Sequence, residues 1–120
     1  WGVSFKPMTD DIRHAPSLDI ARALLGKGAR LNIFDPVAEE NFRRCFPQAA
    51  LTCHPDPLEA AVGSHAVLLL TQWPQLADLD FAKLKQRMAV PLLIDGRNMY
   101  GKKQIAALTK VGITYLSVGR

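Results

Sequence analysis

Three short stretches concentrate the side chains able to do chemistry: FKPMTDDIR at residues 5–13, TQWP at 71–74 and DGRN at 95–98. Lys6 sets a mobile ammonium directly after an apolar run, where it either holds a phosphate or sugar hydroxyl or simply ends a strand in solvent. Pro7 stiffens the exit and removes a backbone donor. Asp10 and Asp11 have the chemistry of general bases, but two aspartates just ahead of a helix better fit a turn and cap. Arg13 can pair with one of them or reach an external anion; the residues alone favour the pair. Trp73 can lie against a base or sugar ring, or plug the end of a sheet, the commoner role for tryptophan. Gln72 can hydrogen-bond a base or cap backbone groups. In DGRN, Gly96 permits an abrupt turn and leaves Arg97 where its guanidinium can make two parallel hydrogen bonds to a phosphate or diol. Bridging back to Asp95 is the alternative; the ligand reading is preferred.

The elements that must position these groups alternate between short apolar strands and amphipathic helices. Strands are expected at residues 2–5, 30–34, 49–53, 65–71, 91–95 and 113–118. HAVLLLT is apolar on both faces, as in a central strand of a parallel sheet covered on each side. A first helix opens at Pro16 and stops at Gly28; a second covers 37–45 and ends before Pro47. Asp56 caps a helical turn through Gly63, Asp80 caps a helix at 81–88, and a last helix at 102–111 ends at Gly112. Strand–helix alternation implies parallel βα units with right-handed crossovers. The expectation is one α/β domain over residues 1–120, a three-layer α/β/α open sheet, mostly parallel, of about six strands. Ligands in such sheets bind beyond the carboxyl ends of the strands, at the switch in strand order. An order of 3-2-1-4-5-6 would make the three stretches neighbours. The first lacks G-x-G-x-x-G, and Phe5, Lys6 and Pro7 would block close approach of backbone to a pyrophosphate. Asp35 is then read as a turn residue before Pro36.

Composition narrows the classes. Hydrophobic residues make up 48% and charged residues 22%, as in folded globular proteins. The net charge is +4, from 15 basic and 11 acidic side chains. The basic residues are dispersed, with no block and no interleaved aromatics, which gives nucleic-acid binding little support. No apolar run approaches the ~20 residues needed to span a bilayer. Cys45 and Cys53 read as reduced thiols, and His14, His54 and His65 lack ligand spacing, so no metal is expected. Trp1 runs straight into strand-like sequence with no leader, which suits a piece of something longer.

The segments GVSFKPMTDDIRHAP, LLGKGARLNIFDP, HAVLLLTQW, LIDGRNMY and VGITYLSVGR resemble, in order and spacing, the carboxyl-terminal UDP-sugar-binding domain of the UDP-glucose/GDP-mannose dehydrogenases. The resemblance implies a Rossmann-like domain of a cytoplasmic, homodimeric enzyme that oxidises the C6 alcohol of a nucleotide sugar to a carboxylate with NAD. Its amino-terminal domain would bind NAD, and its central region would carry the dimer contact and the catalytic cysteine. Cys45 and Cys53 do not inherit that role, and no catalytic residue is assigned to this chain. By position, Phe5 and Lys6 would contact the UDP-sugar, Arg97 would bind it from the opposite wall, and Trp73 would shape the nucleotide pocket. Arg13 would reach across to NAD, which revises the preference for an internal pair; both contacts can coexist. Met8, His14 and Gln72 depart from the family pattern, where asparagine, glutamate and glutamate are usual. The KPxTDD form fits members acting on UDP-glucose better than those acting on GDP-mannose. UDP-N-acetyl-mannosamine or GDP-mannose as substrate, or a non-catalytic nucleotide-binding module, are the alternatives.

Overall fold

The helix boundaries follow local chemistry closely. In a computed structural model, which describes residues 1–47 and 49–119, Pro16 occupies the first turn of α1 (Pro16–Gly26). The helix ends in a Schellman turn: Gly28 takes φ +86°, its N–H reaches Leu25 O at 3.0 Å, and Ala29 N reaches Leu24 O at 3.1 Å. After β1 (Leu31–Ile33), α2 (Glu39–Cys45) and β2 (Leu51–Cys53), Asp56 caps α3 (Pro57–Ala60) by accepting from Glu59 N at 3.1 Å. β3 (Val67–Leu69) leads through a 3₁₀ turn at Pro74–Leu76 to α4 (Phe81–Arg87), where Asp80 accepts from Lys83 N at 3.1 Å. β4 (Leu92–Asp95), α5 (Lys102–Val111) and β5 (Thr114–Ser117) complete the order, with Gly112 at φ +92° ending α5. Arg120, which closes the VGITYLSVGR segment, lies outside the described residues.

All strand pairs are parallel, in the orders β2-β1 and β3-β4-β5. The count is five strands among the described residues, against the expected six, because residues 2–5 form no strand. They nevertheless run between the two sheets. The Trp1 nitrogen donates to Leu68 O and Leu70 N to Trp1 O, both at 2.8 Å, while Gly2 N donates to Phe34 O at 2.7 Å. The ladder stops there for a chemical reason: Val3 N and Ser4 N donate to the side chain of Asp35 instead of to a strand backbone. Gly2, at φ +84°, passes so close to Thr71 that a Cβ would lie 2.4 Å from the Thr71 Cβ. Spatially, the opening segment therefore takes the central place that the 3-2-1-4-5-6 order gives to a first strand.

Two apolar clusters hold the layers. Val3, Ala21, Ile33, Ala38 and Phe42 join α1 and α2 to β1. Leu69, Leu84, Leu93, Tyr100 and Leu108 lead the larger cluster beneath α3, α4 and α5. Tyr100 is fully buried, donates to Leu76 O at 2.6 Å and meets Phe81 edge-on at 5.6 Å. Burial pushes its hydroxyl pKa well above the ordinary range. No helix among the described residues is long and apolar enough to cross a membrane.

Candidate functional site

Asp35, at the carboxyl end of β1, is the hub of this face of the molecule. It is buried, and one oxygen accepts from Val3 N at 2.8 Å, Ser4 N at 3.2 Å and Trp73 Nε1 at 3.1 Å. The other accepts from Val37 N at 3.0 Å and Ala38 N at 2.8 Å. Its last two contacts are those of the expected turn residue. The first three tie the opening segment to the TQWP segment, and sequence reading misses them. These N–H groups satisfy the carboxylate's lone pairs.

Further hydrogen bonds fix the backbone of the opening segment. Ser17 Oγ donates to Val3 O at 2.6 Å, Thr71 Oγ1 to Ser4 O at 2.7 Å, and Ser4 Oγ to Lys6 O at 2.9 Å. Phe5 N donates to Asp11 O at 2.8 Å and closes the loop. Phe5 and Lys6 stand at the exposed end of this frame. Phe5 is 48% exposed, whereas Phe34, Phe42 and Phe81 are buried. An aromatic ring left in solvent beside an ammonium suits binding better than packing.

Arg13 sits on the outer side of the same loop with its side chain 83% exposed. Its guanidinium grips Asp11 with two parallel hydrogen bonds, Nε to Oδ1 at 3.0 Å and Nη2 to Oδ2 at 2.9 Å. Hydrogen bonds from Arg13 hold the Asp11 carboxyl down to about 2 from an ordinary 3.8. The internal pair is thus formed, and the exposure leaves the guanidinium reachable by an external anion.

Trp73 is placed in the core, 2% exposed, with its indole N–H on Asp35. It plugs the end of the sheet and braces the opening segment from beneath. Next to it, Gln72 Oε1 accepts from Arg97 Nη2 at 3.4 Å. The Asp95 carboxylate accepts from Arg97 N at 3.0 Å, Tyr100 N at 3.0 Å and Tyr115 OH at 2.8 Å. Asp95 therefore shapes the loop while the guanidinium turns toward Gln72. Asn98, at φ +52°, anchors the far side through Nδ2 to Val118 O at 2.8 Å.

Hydrogen bonds thus gather the carboxyl ends of the strands: Arg97 to Gln72 joins the second and third stretches, while Thr71 to Ser4 and Trp73 to Asp35 tie the second to the backbone just ahead of the first and to the end of β1. The result is an open shelf. A cavity of about 500 Å³ lies to one side of it, lined by Phe34, Asp35, Pro57 and Gln75. An exposed ring with an ammonium and a guanidinium fits recognition of a phosphorylated, ring-bearing ligand.

Comparison with known proteins gives this geometry a family. Residues 1–102 match the UDP binding domain of the UDP-glucose/GDP-mannose dehydrogenase family. The chain is 43% identical over 124 residues to UDP-glucose 6-dehydrogenase of Pseudomonas aeruginosa, a match covering 100% of this chain and 27% of that protein. It is 42% identical over 119 residues to UDP-glucose 6-dehydrogenase of Rhizobium meliloti, covering 99% of this chain and 26% of the relative. The fold is also that of a UDP-D-ManNAc dehydrogenase from Pyrococcus horikoshii, with a TM-score of 0.74 at 20% identity over 99% of this chain and 24% of that one. The chain thus spans about a quarter of the length of the relatives it matches. Sequence, fold and the joined strand ends agree: the chain belongs to the UDP-glucose/GDP-mannose dehydrogenase family and carries its UDP binding domain.

Proposed function

We propose that residues 1–120 are the nucleotide-sugar-binding domain of an NAD-dependent UDP-glucose 6-dehydrogenase, which oxidises the sugar C6 alcohol to a carboxylate. Phe5 and Lys6 form one wall for the UDP-sugar, and Arg97 the other. Trp73 shapes the pocket from beneath through Asp35. The observation that supports this reading is the bonding of Arg97 to Gln72 and of Thr71 to Ser4, the residue just before an exposed Phe5, at the carboxyl ends of the strands.

NAD, when bound, supplies the hydride acceptor. This chain's fit to it is limited to one residue. The opening loop lacks a glycine cradle, and the Asp35 carboxylate is already engaged by five N–H donors of the protein itself. Arg13 remains, on the surface, as a guanidinium able to contact the cofactor held by an amino-terminal domain. The catalytic cysteine belongs to a central region of the same protein, and this domain alone turns nothing over. The whole enzyme works as a homodimer in the cytoplasm.

The test is turnover by the full-length protein with NAD and a panel of nucleotide sugars. UDP-glucose is expected to give the highest kcat/KM. A preference for UDP-N-acetyl-mannosamine or GDP-mannose would overturn the substrate assignment, and no oxidation of any of them would overturn the enzymatic one.

A further inference from the structure

β1 and β3 are each paired on one side, β1 to β2 and β3 to β4, and among the described residues no strand joins them. Between them lies a cavity of about 880 Å³ that runs from Trp1 back toward the amino-terminal ends of both strands. Its walls are apolar, with Leu31 from β1, Val67 and Leu68 from β3, Ile20 and Leu24 from α1, and Ala60 from α3. Its edges are polar. Leu31 N donates to Ala50 O and Ile33 O accepts from His54 N, both on the β2 side. Strand alternation therefore turns the N–H and C=O of Asn32, and the N–H of Phe34, toward the cavity. Leu69 O accepts from Gly96 N on the β4 side, which likewise turns Leu68 N toward the cavity. Backbone groups held inside a fold call for partners.

Trp1 and Gly2 close the carboxyl end of this cavity as rungs of a parallel ladder. Trp1 N donates to Leu68 O and Trp1 O accepts from Leu70 N, so both its backbone groups face β3. Gly2 N donates to Phe34 O, and so faces β1. We propose that the residues immediately before Trp1 in the full-length protein run through this cavity as the body of a central parallel strand, bonded to β1 and β3 at once. Covalent geometry selects this occupant over a second copy of the chain. Whatever is joined to the Trp1 nitrogen begins inside the cavity, one Cα step of about 3.8 Å away. A relative 43% identical to this chain is matched over 27% of its length, so such a protein has ample polypeptide to supply the strand.

The existing rungs fix its register. The first residue before Trp1 accepts from Phe34 N and donates to Asn32 O, and the second accepts from Leu68 N. At about 3.3 Å per residue, about four residues reach back to the level of His65. Trp1 lies in the cluster beneath α3, α4 and α5, with its indole N–H on Pro57 O. Alternation sends the first preceding side chain to the other face, toward Ile20 and Leu24, and the second back toward Ala60, so both are expected to be apolar. The backbone that leads to Phe5 and Lys6 is then anchored by Asp35 on one side and by polypeptide from outside the domain on the other. The proposal rests on the family and the ladder geometry, and holds whichever nucleotide sugar is bound.

The experiment is hydrogen exchange on the full-length protein, read at single-residue resolution by mass. The amides of Phe34, Leu68 and the two residues before Trp1 are expected to exchange as slowly as that of Leu93, in the middle of β4. Exchange of the two preceding amides at the rate of unstructured chain would overturn the proposal. Slow exchange there with fast exchange at Phe34 and Leu68 would place the segment elsewhere and overturn it as well. Proline at the position immediately before Trp1 removes the donor to Asn32 O. It should speed exchange at Phe34 and Leu68 roughly tenfold or more, and unchanged exchange at both would contradict the register.

Discussion

Met8 holds a left-handed backbone, φ +65°, while 73% of its surface is exposed. A non-glycine residue in that region bears a steric penalty of about 1–2 kcal/mol, which asparagine relieves through local hydrogen bonding. Little packing is lost by changing it, so Met8→Asn is expected to stabilise the protein by about 1 kcal/mol. A higher urea midpoint at unchanged m checks this. The preference of the family pattern for a small polar residue here thereby acquires a backbone cause. In the same loop, Asp11 makes a pH-dependent prediction. Its folded pKa is depressed to about 2, so its stabilising contribution is present above the ordinary 3.8 and is lost as pH falls through 2. Carboxyl NMR titration should find that low midpoint, and Arg13→Ala should return it toward 3.8. An unmoved midpoint would show that Arg13 does not set it.

At the scale of elements, the opening segment is the piece that matters. It lies where a central strand would, yet spends two of its N–H groups on a carboxylate 32 and 31 residues away. Asp35→Ala removes the acceptor shared by five N–H groups, several of them buried, at about 1–3 kcal/mol for each donor left unsatisfied. A loss of about 3 kcal/mol or more in denaturant unfolding is expected, against about 1 kcal/mol for Trp73→Phe, which removes one donor with its acceptor still served. Equal losses would contradict the hub. This contrast also explains what could be read in advance. Helix ends were legible because Pro16, Asp56, Asp80 and Gly112 act within a turn of themselves. That residues 2–5 form no strand, and the reach of Asp35, were not, because both depend on partners brought together only by the folded sheet. The short 3₁₀ turn at Pro74–Leu76 received no assignment for a related reason: three residues carry no periodicity.

At the scale of the whole molecule, topology brings the strand ends together. Lys6, Gln72 and Arg97 are far apart in sequence, and each follows an apolar run, so a rule about strand ends sufficed to group them. The bond from Arg97 to Gln72 joins two of them, and that from Thr71 to Ser4 ties the backbone two residues before Lys6 to the second stretch. The same rule could not divide their roles. Trp73 stands in the middle of the group but faces inward, a distinction that comes from its bond to the buried Asp35. Arg97 is the residue on which the nucleotide-sugar reading depends most, since its backbone is fixed by Asp95 while its guanidinium meets a neutral amide at 3.4 Å. The most direct test is the KM for UDP-glucose of the full-length protein carrying Arg97→Ala. Loss of a charge-assisted hydrogen bond, ~1.5–3 kcal/mol, should raise KM roughly ten- to a hundredfold with kcat little changed. A KM equal to that of the unaltered protein would contradict the assignment of this shelf as the substrate site.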